Sequence, residues 1–202
     1  MPKPILACLA LAVLCLLCPS APLASPADGP GAVPGGPAGI LDQASAGIQY
    51  RIGERYGYGQ GVPQDFATAR IWYEKAASRG HAPAQFRLGQ LLAEGLGGPQ
   101  DCQAARIWLE GAASQDYAPA QYNLGVLYEQ GLGGPQDWQT AAGWYVLAAR
   151  QGMVQAQFNL GLLYARGQGV PQDPDAARTL LEQACSGGLH EACNAVRDLP
   201  AR

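Results

Sequence analysis

Charge is scarce in this 202-residue chain. Only 14% of residues are charged, 13 basic against 16 acidic, for a net charge of −3. No basic patch or run occurs, so nucleic acid is not an expected partner. Histidine is scarcer still. His81 and His190 are the only two, 109 positions apart at loop-to-helix junctions, and they read as turn residues. S-x-x-K, G-x-S-x-G and H-E-x-x-H are all absent, so no catalytic residues and no small-molecule cofactor are expected. A G-x-G at Gly59–Gly61 recurs at Gly167–Gly169 with no strand before it, which makes it a turn rather than a phosphate loop.

Long apolar runs are wanting as well. Ile5 to Leu17 is uninterrupted but only 13 residues long, too short to span a bilayer and right for a signal-peptide core. Lys3 precedes it, and small residues at Ser25 and Ala27 follow. Residues 1–27 are therefore expected to be a signal peptide cleaved after Ala27, which makes the protein periplasmic or secreted. A lipid anchor is the alternative. Cys15 and Cys18 each follow a leucine, which suits a lipobox poorly, and Cys8 arrives before the apolar run is complete. Membrane contact is otherwise not expected. Residues 28–41 form a Pro/Gly-rich linker.

What is present is repetition. Gln121–Asp137, QYNLGVLYEQGLGGPQD, has counterparts at Gln49–Asp65, Gln85–Asp101 and Gln157–Asp173, each 36 residues apart. A strict period in this range means stacked modules. The expected fold is all-α: an α/α superhelical solenoid of four two-helix repeats (about 45–80, 81–116, 117–152 and 153–188) over residues 42–199, with a C-terminal capping helix at 189–199.

In the second repeat helix A is expected over Ala82–Glu94 and helix B over Cys102–Ser114. Glycines stop helix A. Pro63, Pro99, Pro135 and Pro171 extend the chain before the next helix. Asp65, Asp101, Asp137 and Asp173 then cap helix B, and Asp42 is placed to cap the first helix. Gly53, Gly89, Gly125 and Gly161 lie inside helix A, at about 1 kcal/mol each against alanine. They imply close packing, expected from the helix B column Trp72, Trp108, Trp144 and Leu180. Arg55 replaces the leucine of later copies (Leu91, Leu127, Leu163), which suits an edge.

The run Leu124, Gly125, Tyr128, Gly131, Asp137, Ala141, Trp144, Tyr145, Ala148, Ala149 and Gly152 resembles the Sel-one-like repeat (SLR), a relative of the tetratricopeptide repeat. The resemblance covers about residues 45–199. It implies a right-handed superhelix that serves as an adaptor for protein or peptide partners. In solenoids of this type helix A lines the concave groove. The columns in which the copies differ would then form the binding face: Arg51, Glu54, Tyr58; Arg87, Gln90, Glu94; Asn123, Val126, Gln130; Asn159, Leu162, Arg166.

Cys185 and Cys193 resemble the cysteine pairs of exported, cysteine-rich bacterial members, which implies a disulfide; export favours the same pairing. Two other readings stay open: a metal bound by Cys185, His190 and Cys193, which lacks a fourth ligand, and free packed thiols. Cys102 stands outside the pair. The resemblance also supplies an alternative function, a cell-wall or β-lactam-directed hydrolase.

Overall fold

A computed structural model describes residues 44–199. The expectations for residues 1–43, including the Asp42 cap, lie outside the described residues. Among the described residues there are helices and no strands. They run α1 (Ala46–Tyr58), α2 (Phe66–Ala77), α3 (Ala82–Glu94), α4 (Cys102–Ala113), α5 (Ala118–Gln130), α6 (Trp138–Arg150), α7 (Val154–Arg166), α8 (Pro174–Ser186) and α9 (His190–Asp198). Odd helices are helix A and even ones helix B. Each helix packs most heavily on its neighbours in sequence, as a solenoid of α/α modules must. The second helix A matches its expected bounds, and helix B ends one residue early, with Ser114 as its C-cap. The first helix opens behind Ser45, whose side chain makes no capping bond.

The loops explain the recurring Gly, Gln and Asp. Gly59, Gly95, Gly131 and Gly167 end helix A in the left-handed region. The amides of Gln64, Gln100, Gln136 and Gln172 reach back to carbonyls of the helix just ended, at Gly57, Ala93, Glu129 and Ala165 (2.7–2.9 Å). The Asp side chains accept from backbone N–H groups of the first turn of helix B. Thr68 and Thr140 also donate hydroxyl bonds of 2.6 Å to Asp65 and Asp137. These threonine bonds, with the backbone N–H bonds, hold both carboxyls below the usual 3.8.

A lowered folded-state value means that the cap stabilises above about pH 4 and is lost as pH falls through the lower native value. Asn caps as well as Asp but does not titrate. The double variant Asp65→Asn, Asp137→Asn is therefore expected to flatten the acid limb of stability below pH 4. Denaturant melts across pH check this.

Modules are joined by a second set of glutamines. Gln85, Gln121 and Gln157 donate to the carbonyls of Ala77, Ala113 and Ala149, at the end of the preceding helix B (3.3–3.4 Å). Gln115 and Gln151 in turn donate to Gln85 and Gln121 (2.8 and 2.9 Å). The four alanines Ala69, Ala105, Ala141 and Ala177, one per helix B, are 0% exposed.

The helix A glycines do face helix B, but not its tryptophan column. A Cβ on Gly53, Gly89, Gly125 or Gly161 would meet Tyr73, Leu109, Tyr145 or Leu181, one residue further along. The buried stripe of helix B runs Ala69, Tyr73, Ala76 at spacings of four and three. The tryptophans, about 100° round the helix, are left half-buried at the margin.

A pairing between modules accounts for two loop sequences. Arg70 and Arg106 extend over Gly98 and Gly134 of the next loop, where a Cβ would collide with the guanidinium. The next helix B has Ala142 in the arginine position. The following loop then carries Val170, which packs against the cluster holding Ala142. Arginine goes with glycine and alanine with valine, a pairing of large with small in each case. Gly134→Val alone is expected to cost about 1–3 kcal/mol by overpacking. Adding Arg106→Ala should recover more than 1 kcal/mol of that, a coupling that a double-mutant cycle in urea measures.

The solenoid ends differ. Arg55 is exposed at the first module, as an edge residue should be. At the other end α9 closes the stack through Ala192 (0% exposed), Ala195, Val196 and Leu199. Cys185 and Cys193 are joined by a disulfide, with Cα atoms 4.8 Å apart, which ties α9 to α8. Cys102 is not part of it.

Candidate functional site

Helix A carries its variable columns along one side, and their exposure is graded. Arg51 is exposed, Arg87 and Asn159 are half-buried, and Asn123 is only 6% exposed. Glu54, Gln90, Val126 and Leu162 are half-buried. Tyr58, Glu94, Gln130 and Arg166, at the C-terminal ends of their helices, are exposed.

The structure brings Glu54, Tyr58, Arg87 and Gln90 together. Arg87 Nη1 donates to Gln90 Oε1 (3.0 Å), and the guanidinium lies 5.5 Å from the Tyr58 ring and 5.6 Å from Phe86. Tyr50 donates to Glu54 (2.8 Å), and the Arg87 charge acts on its hydroxyl from nearby. Its ring lies 5.7 Å from Tyr73 and 4.9 Å from His81. Burial, helped by Glu54, pushes the Tyr50 hydroxyl up to about 12, and burial raises Tyr73 and Tyr117 too. Burial alone would lower Arg87, but the phenol groups of Tyr58, Tyr50 and Tyr73 outweigh it and leave the guanidinium more firmly protonated. Burial also raises the Glu94 carboxyl, although the residue as a whole is exposed.

A second cluster lies four helices on. Tyr145, 0% exposed, donates to Glu129 and accepts from Asn159 Nδ2 (3.1 Å). The Tyr122 ring lies tilted against Tyr145, with centroids 5.9 Å apart. Burial first, then Glu129, raises both hydroxyls, so both rings are neutral hydrogen-bonding groups at any physiological pH.

Tyr50, Tyr73, Tyr122, Glu129 and Tyr145 were not among the residues expected from sequence. Glu129 had a visible signal. It stands in a column otherwise filled by Gly57, Ala93 and Ala165, so one carboxylate enters where the other copies have almost nothing. His81 departs from the turn reading: it is half-buried, its Nδ1 accepts from the Ala84 N–H (3.3 Å), and burial lowers its basicity. His190 begins α9 and is exposed. Among the described residues no three His, Cys, Asp or Glu side chains group to hold a metal. The face thus offers phenols, amides, guanidinium groups, carboxylates and apolar patches, which is the chemistry of hydrogen bonding and packing.

Four copies of the Sel1 repeat profile match the chain, at residues 49–81, 82–117, 118–153 and 154–189. A solved structure of c5321, a protective antigen present in uropathogenic Escherichia coli strains and displaying an SLR fold, superposes with a TM-score of 0.74 at 35% identity, over 76% of this chain and 33% of its own. A Sel1 repeat protein from Oxalobacter formigenes gives 0.74 at 33% identity, over 82% of this chain and 64% of its own. Cysteine rich protein B of Helicobacter pylori gives 0.51 at 24% identity, over 68% of this chain and 98% of its own, a likeness of fold alone. This chain spans less than two thirds of the length of the first two. No curated protein matches it.

Proposed function

This chain belongs to the Sel1 repeat family, and from that premise we propose that it is an exported scaffold holding a protein or peptide partner along its helix A face. Sel1 repeat proteins are generally protein–protein interaction scaffolds. The observation that carries the reading is the ordering of this face across module boundaries. Arg87 of α3 approaches the Tyr58 ring of α1, and Asn159 of α7 bonds Tyr145 of α6. Side chains already held in place lose little entropy when a partner docks.

In this reading Arg51, Tyr58, Arg87, Gln90, Gln130, Asn159 and Arg166 make the polar contacts. Val126 and Leu162 supply the apolar floor, with Glu54, Glu94 and Asn123 at its margins. Export draws support from the apolar segment Ile5–Leu17 and from the disulfide. No helix among the described residues is long and apolar enough to cross a membrane. A lipid anchor remains the alternative attachment. No observation favours the hydrolase alternative.

The test places a photo-crosslinking amino acid at Tyr58 or Gln130 on the proposed face. A control places it at Ile107, 62% exposed on helix B. In the native cell envelope, one partner band is expected from the first two positions and none from the third. Equal crosslinking from all three would reject the face.

A further inference from the structure

The first module shows a docking surface to which nothing in the described chain is docked. Three module boundaries define what such a surface needs. Helix A offers an alanine (Ala84, Ala120, Ala156), a leucine four residues on (Leu88, Leu124, Leu160), and a loop whose second glycine (Gly97, Gly133, Gly169) lies against the first turn of the preceding helix B. In each case the alanine is 0% exposed. At α1 the same positions are Ile48, Ile52 and Gly61. Ile48 is 40% exposed. Gly61 has φ +72°, the conformation of the docked loops (+73°, +73° and +69°), yet among the described residues its only near neighbour is the Arg55 guanidinium of its own module. The loop is shaped for docking without a docked helix. One period upstream of α2 the sequence has Pro34 and Pro37 where α2 has Arg70 and Tyr73, so the helix B pattern does not recur there.

We propose that this N-terminal edge, formed by Ile48, Ile52 and the Gly61–Val62 loop, docks a helix B-type α-helix of another polypeptide, extending the stack in trans. The occupant's chemistry follows from the pairing between modules. A loop carrying valine, like Val62, goes with a helix that has alanine in the arginine position, as Val170 goes with Ala142 in one core cluster. The partner helix therefore presents small residues at the positions of Ala141, Ala142, Ala148 and Ala149, with a large side chain at that of Tyr145. An arginine in the second position would need the glycine loop seen with Arg70 and Arg106. The surface is distinct from the helix A groove and does not depend on it.

The probe is a helix-stapled peptide of residues 137–151, copying α6, and its Ala142→Arg variant. Each is titrated into the isotopically labelled full chain and followed by amide chemical shifts. The expected result is saturable binding of the α6 peptide with shifts confined to residues 46–65. Binding should weaken by about tenfold or more with the Ala142→Arg peptide, and likewise with Ile48→Lys protein. Ile48→Lys alters an exposed side chain, so its own spectrum should stay native. Absence of binding, equal binding of both peptides, or indifference to Ile48→Lys would overturn the proposal. So would sedimentation showing that a second copy of the chain already occupies this edge in a manner abolished by Ile48→Lys.

Discussion

Gly125→Leu is expected to cost the fold about 3 kcal/mol or more, the upper end of the range for overpacked cores. A Cβ at this position would lie 2.5 Å from Tyr145 Cε1 and 2.7 Å from Cδ1, against the ring of a residue that is itself 0% exposed. The ring has nowhere to go, because its hydroxyl is held between Glu129 and Asn159. Even Gly125→Ala sets about 1 kcal/mol of gained helix propensity against a steric cost of about 1–3 kcal/mol, so a net loss is expected. Gly143 is the control. It lies mid-helix in α6 with nothing within 4 Å of a Cβ, so Gly143→Ala should stabilise by up to about 1 kcal/mol. Urea melts of the four proteins give the order Gly143→Ala, parent, Gly125→Ala, Gly125→Leu. A Gly125→Leu protein that melts with the parent would remove the account of helix A against helix B.

Gly133→Ala should be comparably damaging at the boundary between modules. Gly133 has φ +73°, which an alanine adopts at a cost of about 1–2 kcal/mol. Its Cβ would also overlap the Cys102 carbonyl and stand 2.9 Å from the Gln103 nitrogen. Those atoms are backbone, and relieving them means prying two modules apart. A total of about 3 kcal/mol or more is expected. Gly61→Ala separates the two causes. It shares the backbone conformation (φ +72°) but among the described residues meets no backbone of another module, so only the conformational part, about 1–2 kcal/mol, should appear. Equal losses at the two sites would mean that strain alone explains these glycines and that the modules do not touch there.

Much of the solenoid was legible because its punctuation is chemical. Glycine, proline and an aspartate cap recur at fixed offsets, and they placed α3 at its observed bounds. The choice between Trp144 and Tyr145 over Gly125 was not legible. Neighbouring residues differ by about 100° around a helix, and both columns hold large apolar or aromatic residues, so only the observed rotation of helix B decides. The glutamine columns recurred without declaring a role, because an amide's target is the carbonyl of a turn or a preceding helix. Of the helix A face, the sequence marked the variable columns but not their unequal burial. Nothing at position 123 distinguishes a buried asparagine from an exposed one. The pairing of Arg106 with Gly134, and of Ala142 with Val170, was present in the letters. It had meaning only once one module's helix was known to face the next module's loop.

Everything functional here needs the modules to stack in one register, since the helix A face is continuous only then. The most direct measurement is of through-space proton contacts in solution. Contacts from the Hα protons of Gly97, Gly133 and Gly169 to the amides of Ala67, Gln103 and Gln139 are expected, because a Cβ on each glycine would stand 2.7–2.9 Å from those nitrogens. No such contact to a preceding helix is expected from Gly61. Three glycines without these contacts, in a protein otherwise helical, would contradict the stacked arrangement.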